Sequence, residues 1–386
     1  MRIAVVTESF LPRTDGVVRT VLAFLEYLHQ HGHQALVFAA GPGPTAYDGY
    51  PVVRVRGIRF PLYPALTLAP HSTHMRRRMR EFRPDLVHLA SPFVLGVQGR
   101  LAGRALGVPV VAHYQTDLVR YARHFRLGAL AGVARWHLVR LHNGCQANYA
   151  PTPSVRDELL SWGVREARVS GRGVDATLFN PAKRSETLRH GLLVAGEHTL
   201  FLYVGRLSVE KNLESLAPML AGTPGCRLVL VGEGPLRESL EARFSGLPAT
   251  FLGLKRGEEL AQIYASADVL TFPSLTETFG QVVQEAMASG LPVLACRAGG
   301  VQDLFRDGAE GYLCQPGDAG TWLDRARRLG GDAALRSGFG RQARASAASR
   351  TWDMIFDRLL RDYLELLRPG GEPPNVASRI ASVSIH

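Results

Sequence analysis

Two glutamates separated by eight positions are the first candidates for chemistry in this sequence, within the stretch LTETFGQVVQEAMASGLPVLA. Glu277 lies in a predicted strand-to-helix loop, Gly280 precedes a predicted helix, and Glu285 lies on that helix. The unpaired N–H groups and positive dipole end of a helix N-terminus suit a phosphate. A carboxylate there can accept hydrogen bonds from ribose hydroxyls, as in nucleotide-binding α/β folds. Taken alone, this spacing also fits an alternative without a ligand, in which both glutamates are solvated beside the start of a helix.

A second candidate site, YVGRLSVEKN, follows another strand-like run. Gly205 allows close approach of a ligand to the backbone, and Arg206 and Lys211 add two cations at the carboxyl end of the strand. Ligands bind at that end in open parallel sheets, and two fixed cations can neutralise a diphosphate without a metal. The alternative is a solvated basic turn. A weaker glycine turn, LVGEGP, places Gly232 after the next strand.

A third candidate is the basic stretch HSTHMRRRMREFRPD, which predicts an amphipathic helix. Met75, Met79 and Phe82 share one face of this helix. The basic residues around them are Arg76, Arg77, Arg78, Arg80 and Arg83. Such a helix is typical of binding to an anionic membrane surface, with a solvated surface helix as the alternative. Nucleic acid is not expected as a partner, because no aromatic residues are interleaved with the arginines and no binding module is recognisable.

Composition and charge agree with a globular protein that has a polyanionic partner. The 386 residues are 46% hydrophobic and 20% charged, which predicts two to three ordinary domains. The four cysteines form no CxxC pair, so a disulfide framework or a zinc site is not expected. Residues 1–183 contain 23 basic and 11 acidic residues, a net charge of +12, whereas the remainder contains 22 basic and 23 acidic residues. With no signal-peptide pattern or membrane-spanning run, we expect a cytoplasmic protein, peripheral on the inner face of the cell membrane.

The elements that must position these residues are buried parallel strands. Short continuous apolar runs alternate with amphipathic helical segments, which is typical of an α/β protein with two doubly wound sheets. The runs are IAVVTES, QALVFAA, DLVHLAS, VPVVAHY, LFLYVG, RLVLVG, ATFLG, DVLTFPS and LPVLAC.

A polar, proline-containing stretch divides the two strand series and predicts domains over 1–183 and 184–350. The segment 351–368 predicts a helix whose apolar face docks on protein and packs back on the first domain. The tail 369–386 is expected to be disordered.

Taken together, the motifs resemble the family 4 retaining glycosyltransferases, which use nucleotide sugars and have the GT-B fold. GRLSVEKN, VGEGP and TETFGQVVQEAMASGLPVLA match in order and spacing, and ESFLPRTDGVVRTV and GRGVDATLFNP extend the resemblance over nearly the whole chain. The resemblance implies two Rossmann-like domains that face each other across a cleft, the second binding the nucleotide and the first the acceptor.

The same resemblance implies roles for individual residues. Arg206 and Lys211 would hold the diphosphate, Glu285 the ribose and Glu277 a hydroxyl of the donor sugar. Backbone N–H groups near the sugar and phosphate would come from Phe279 and Gly280, and Gly16 would approach the donor from the first domain.

The segment AHYQTDLVRY departs from the family pattern. Many relatives have a histidine before the threonine, where this chain has Gln115, and His113 lies two residues earlier. Because positions two apart share a strand face, we expect His113 to reach the cleft. Asp117, Arg120 and Tyr121 are further candidates for contacts with the acceptor or the sugar. The YQTD variant resembles bacterial mannosyltransferases that use GDP-mannose and lipid acceptors.

We therefore predict an enzyme that transfers a hexose, mannose from GDP-mannose, to a lipid-linked acceptor without a metal or other cofactor. A diacylglycerol glycosyltransferase that uses UDP-glucose or UDP-galactose is one alternative, and a UDP-sugar 2-epimerase is another. Incubation of the donor alone would reveal an epimerase. A non-catalytic binding module is disfavoured because Glu277, Glu285, Arg206 and Lys211 are all present.

Overall fold

The computed structural model of the chain describes residues 1–60, 63–68, 72–116 and 128–368. Asp117, Arg120 and Tyr121 lie outside the described residues, as does the tail 369–386. The roles predicted for these three residues, and the disorder predicted for the tail, therefore stay predictions.

The strands within the described residues belong to two large parallel sheets and one small hairpin. In chain order they are β1 (Arg2–Thr7), β2 (Gln34–Ala40), β3 (Ala46–Tyr47), β4 (Tyr50–Val55), β5 (Ile58–Phe60), β6 (Tyr63–Leu68), β7 (Leu86–Ala90), β8 (Val110–His113), β9 (Ala147–Ala150), β10 (Arg168–Val169), β11 (Thr199–Val204), β12 (Cys226–Val231), β13 (Ala249–Gly253), β14 (Val269–Phe272), β15 (Val293–Cys296) and β16 (Gly311–Cys314).

The described helices connect the strands and cover the sheets. They are α1 (Gly16–Gln30), α2 (Thr73–Phe82), α3 (Val94–Ala105), α4 (Gly128–His142), α5 (Pro153–Ser161), α6 (Glu186–Leu192), α7 (Leu216–Ala221), α8 (Arg237–Arg243), α9 (Gly257–Ser266), α10 (Gln281–Ala288), α11 (Ala319–Gly331), α12 (Ala333–Ala348) and α13 (Trp352–Leu367). Among the described helices, none is long and apolar enough to cross a bilayer.

The order of strands in each sheet explains where a ligand can bind. The first sheet runs β10-β9-β8-β7-β1-β2-β4-β3, and the second runs β13-β12-β11-β14-β15-β16. Only the short β3 pairs antiparallel to its neighbour in these sheets, and β5 and β6 form the antiparallel hairpin. The chain reverses its direction of winding between β1 and β7, and again between β11 and β14, and crevices open at such switch points. The α/β class predicted from the sequence is confirmed.

The chain passes between the domains earlier than the polar stretch suggested. Val174 and Phe179 pack in the core of the second sheet, although both precede the predicted boundary at residue 183. Helix α13 then returns to the first sheet, where Phe356, Leu359 and Tyr363 join the core around β1 and β7. The apolar face of α13 is thus covered by protein. The acidic and basic residues on its other face favoured this arrangement over a contact with a membrane.

Helix α2 is amphipathic, but its apolar face does not point to solvent. Met75 and Met79 are fully buried and pack in a core cluster with residues of β2, such as Phe38. Arg76, Arg77, Arg80 and Arg83 are exposed, while Arg78 is half-buried and donates to Glu81 at 3.0 Å. Contact between α2 and a membrane could therefore involve its arginines only, because its methionines already stabilise the fold.

Candidate active site

A cleft of about 640 Å³ lies between the two sheets, next to both switch points. Gly16 and Arg172 line the side formed by the first domain. The second domain contributes predicted residues from the loops after β11 and β14: Gly205, Arg206, Lys211, Glu277, Phe279 and Gly280. The cleft thus brings together two sequence motifs that are about 70 residues apart.

The loop after β11 is supported by the glycine turn after β12. Gly232 has φ +142°, and a Cβ atom at this position would lie 1.9 Å from the carbonyl oxygen of Gly205. Gly205 also donates its N–H to Val231 at 3.0 Å. Gly232 does not line the cleft; it allows the two loops to approach closely, and this holds Gly205 and Arg206 at the cleft.

Glu277 and Lys211 form an ion pair in the cleft, with side chains 19% and 16% exposed. Ser274 donates a further hydrogen bond to Glu277 at 3.0 Å. Burial alone would raise the pKa of Glu277, but the Lys211 ammonium, these hydrogen bonds and the more distant Arg172 guanidinium bring the pKa below its ordinary value. Glu277 is therefore ionised at neutral pH and can accept hydrogen bonds from a ligand. Arg206 is exposed and forms no ion pair with any described residue.

The start of α10 presents unpaired backbone donors beside Glu277. Gly280 precedes the helix with φ +96°, a left-handed conformation that favours glycine, and a Cβ atom there would lie 2.9 Å from Val301. The N–H groups of Phe279 and Gly280 donate to no acceptor among the described residues. A helix N-terminus with free donors is a suitable place for an anion.

Glu285 lies one turn further along α10, in an adjoining cavity of about 320 Å³. Its side chain is buried, accepts a hydrogen bond from Tyr264 at 3.1 Å and forms an ion pair with Arg19 of the first domain at 3.2 Å. Burial raises the pKa of Glu285, and Arg19 and Tyr264 offset this rise only in part. The role of Arg19 was missed from the sequence, although its position one turn after Gly16 on α1 could have indicated it.

The expectation that His113 reaches the cleft is not met. Its ring is buried between His88 and Tyr149, with ring centroids 4.3 and 4.6 Å away. Its Nε2 lies 2.8 Å from the hydroxyl of Tyr363 on α13. Burial lowers the pKa of His113 well below its ordinary value, so the ring is neutral. His113 thus packs at the interface between β8 and α13, and it does not line the cleft.

Gln115 instead connects the two domains beside the cleft. Its carbonyl oxygen accepts from the Thr278 hydroxyl at 2.9 Å, and its side-chain oxygen accepts from Arg172 at 3.3 Å. Arg172 was also missed from the sequence, even though it belongs to the GRGVDATLFNP motif. Its position after the two-residue strand β10 gave no indication that it would reach the cleft.

Two family models match the chain and together cover most of it. The model described as Glycosyltransferase Family 4 matches residues 14–178, and the model described as Glycosyl transferases group 1 matches residues 198–332. The first match covers most of the first domain, and the second covers most of the second.

Similar proteins extend this match to nearly full length. A GDP-mannose-dependent alpha-mannosyltransferase of Corynebacterium glutamicum is 38% identical over 95% of this chain and 89% of its own. The protein of the same name from Mycolicibacterium smegmatis is 40% identical over 95% and 98%. More distantly, an alpha-monoglucosyldiacylglycerol synthase of Streptococcus pneumoniae is 27% identical over 81% and 75%.

Among solved structures, Anabaena HepE in complex with UDP superposes with a TM-score of 0.78 and covers 94% of this chain and 99% of that one. At 22% identity, this similarity shows the fold alone. The shared architecture is the GT-B fold.

Proposed function

Because the chain belongs to the family 4 glycosyltransferases, which act on nucleotide sugars, we propose that it transfers mannose from GDP-mannose to a lipid-linked acceptor with retention of configuration. The choice of donor is supported by the 38% and 40% identity to GDP-mannose-dependent enzymes over almost the whole chain. The UDP-sugar 2-epimerase alternative loses its basis, since the matched families and the relatives are those of transferases.

The observation that carries this proposal is the arrangement of charges in the cleft between the domains. Arg206 and Lys211 lie on one loop, Glu277 lies on the next, and the free N–H groups at the start of α10 lie beside them. Cations and helix-end donors are suited to a diphosphate, while an ionised carboxylate is suited to sugar hydroxyls. A nucleotide sugar has both kinds of group next to each other.

In the proposed reaction, the bond between the anomeric carbon and the diphosphate oxygen breaks, and a bond from the acceptor hydroxyl oxygen to the same carbon forms on the same face. The acceptor proton passes to an oxygen of the departing GDP, so no side chain needs to act as the base. Arg206, Lys211 and the α10 N–H groups would stabilise the negative charge that develops on the leaving group. Glu277 would orient the sugar through its hydroxyls.

We propose that this chemistry needs no metal ion. Arg206 and Lys211, the side chains proposed to face the diphosphate, are cationic, and they would take the role that a divalent ion has in other sugar transferases. Lys211 is held by Glu277, and the loop that holds Arg206 is supported from behind by Gly232.

The donor can be tested by transfer assays with labelled GDP-mannose, UDP-glucose and UDP-galactose, each with a bacterial lipid extract that contains diacylglycerol glycolipids. We expect label from GDP-mannose in the lipid fraction, and an α-linkage by NMR. A Glu277→Gln variant is the inactive control. Lipid labelling from a UDP-sugar but not from GDP-mannose would refute the proposed donor and favour the diacylglycerol glycosyltransferase alternative, for which the similarity to the S. pneumoniae protein is the support.

A lipid acceptor would require the enzyme to work at a membrane surface, and the exposed arginines of α2 support this part of the proposal. An arginine near an anionic surface contributes about 1 kcal/mol, and salt screens this attraction over about 8 Å at physiological ionic strength. The buried methionines imply a contact that is electrostatic, without insertion of the helix into the bilayer.

The membrane contact can be tested by sedimentation with vesicles that contain an anionic phospholipid. Changing Arg76, Arg77 and Arg80 together to Ser should abolish co-sedimentation at low salt. The matched control changes three exposed arginines of the second domain, Arg243, Arg327 and Arg341, and removes the same charge. Equal loss in both variants would indicate an effect of net charge alone, and no binding by the unchanged protein would refute the membrane contact.

A further inference from the structure

Arg172 is a buried guanidinium that the described protein satisfies only in part. It follows β10, is 6% exposed, and lines the same cleft as Glu277. One nitrogen, Nη2, donates to the side-chain oxygen of Gln115 at 3.3 Å. Nε is fully buried and has no hydrogen-bond partner in the described part of the chain. For Nη1, the described residues likewise provide no hydrogen-bond acceptor.

The structure holds this guanidinium in place from several directions. Gln284 of α10 donates to the backbone carbonyl of Arg172 at 2.8 Å, and Gln281 donates to that of Gly173 at 3.0 Å. The guanidinium carbon lies 5.6 Å from the ring centroid of Phe279, within the range of a cation–π contact. A Cβ atom on Gly16 would lie 3.1 Å from Nη1. The cation is therefore fixed between the start of α1 and the start of α10.

The buried charge of Arg172 indicates that this side chain binds an anionic ligand. Burial lowers its pKa to about 10, with Glu277 and Asp15 acting in the opposite direction, so it stays charged at neutral pH. Within the described residues, no carboxylate lies within ion-pair distance of it, and Glu277 is paired with Lys211. A buried cation without a close anionic partner reduces the stability of the folded protein. A ligand oxyanion in the cleft would remove this cost.

We propose that Arg172 binds an oxygen of the donor diphosphate from the side of the first domain, opposite Arg206 and Lys211. This inference rests on the proposed function, because it assumes a nucleoside diphosphate in the cleft. The diphosphate is favoured over an anionic group of the acceptor because Arg172 contacts Phe279, next to the free N–H groups at the start of α10. Since the charge on the diphosphate grows as the sugar leaves, Arg172 lowers the barrier to transfer as well as binding the donor.

The proposed contact would also place residues of both domains on the same ligand. Arg172 belongs to the first of the two segments that pass between the domains, whereas Arg206 and Lys211 lie in the loop after β11 of the second domain. A diphosphate held by all three residues would connect both domains across the cleft.

Calorimetric titration of GDP, GMP and guanosine into the full-length protein tests this assignment. Arg172→Gln should weaken GDP binding at least about tenfold and leave guanosine binding unchanged, because only the contact with the diphosphate is lost. Arg172→Lys should lie in between, since an ammonium keeps the charge but loses the planar fork. If Arg172→Gln does not fold, the Arg172→Lys variant tests the proposal in its place. In steady-state assays, kcat of Arg172→Gln should fall further than its GDP affinity.

The matched control is Arg189→Gln, which removes another mostly buried arginine, paired with Asp268 at 2.7 Å, away from the cleft. It should lower the melting temperature and leave the preference for GDP over guanosine unchanged. If Arg172→Gln behaves like this control, Arg172 is structural and the proposal is wrong. If GDP binds normally and only the KM for the acceptor rises, the anion is on the acceptor and the proposal is equally wrong. Failure of the proposed function would appear separately, as no transfer from GDP-mannose by the unchanged protein.

Discussion

Replacement of Glu285 by glutamine is expected to change stability and nucleotide binding in different ways. Burial raises the pKa of this carboxyl in the folded protein, which means that the fold disfavours its ionised form. At neutral pH the negative charge therefore reduces stability, and the neutral amide removes this cost. The amide oxygen of the variant can still accept the hydrogen bond from Tyr264. The lost ion pair contributes about 0 to 1 kcal/mol, because the Arg19 side chain is 47% exposed.

The effect on GDP binding should be a clear loss. A carboxylate that accepts hydrogen bonds from two ribose hydroxyls gains about 1 kcal/mol more per bond than a neutral amide does. Two bonds then correspond to about 2 kcal/mol, or about a thirtyfold weaker affinity. We therefore expect a Glu285→Gln protein that melts at the same or a higher temperature and yet binds GDP about thirtyfold more weakly.

Calorimetry with GDP and 2′-deoxy-GDP, together with thermal melting, measures both effects. The unchanged protein should prefer GDP, and this preference should shrink in Glu285→Gln. Glu310→Gln is the matched control, since Glu310 is also buried but its pKa is lowered, because hydrogen bonds from Arg306 and Ser346 outweigh the effect of burial. This variant should melt at a lower temperature and bind GDP normally. Unchanged GDP affinity in Glu285→Gln would refute the ribose assignment.

Four further outcomes are expected. Arg206→Ala should lower kcat more than donor affinity, and a rise in KM at constant kcat would contradict its role in leaving-group stabilisation. Transfer activity should persist in EDTA; activity that is lost in chelator and restored by magnesium or manganese would refute metal independence. Acid should destabilise the first domain, because burial lowers the pKa of His88 to about 3 and that of His113 also lies well below its unfolded value. The stability that depends on these two neutral rings is fully present above about pH 6.5 and is lost as the pH falls towards 3. Melting curves at constant ionic strength would detect this loss. Phe356→Ala should cost about 3 to 5 kcal/mol in chemical denaturation, since this ring joins α13 to the first core.

Local sequence was enough to predict the fold class and the motifs of the second domain. All nine apolar runs are strands, because a strand covered by helices on both faces must be apolar along its whole length. Glu277, Arg206 and Lys211 meet at the cleft because they follow β14 and β11, which adjoin at a switch point. The strands β3, β4, β5, β6, β9, β10 and β16 escaped prediction; β3 and β10 have only two residues each, which is too few to give a periodic pattern.

Tertiary structure alone decided which polar side chains meet across the two domains. Arg172 reaches the cleft, and Arg19 reaches Glu285, only because the two sheets face each other, and no local pattern contains that orientation. The buried position of His113 depends on Tyr363 of α13, 250 residues away in the chain. Alternation along a strand predicts which side chains share a face, but not what covers that face.

The same limit applies to α2. Helical periodicity placed Met75 and Met79 on one face and the arginines around them, and this pattern fits a membrane-bound helix and a helix packed on its own domain equally well. The structure distinguishes them because the methionines are fully buried in a core cluster with residues of β2, whereas Arg76, Arg77, Arg80 and Arg83 are exposed. Amphipathicity is a property of the local sequence, whereas the surface that the apolar face contacts is determined by the rest of the fold.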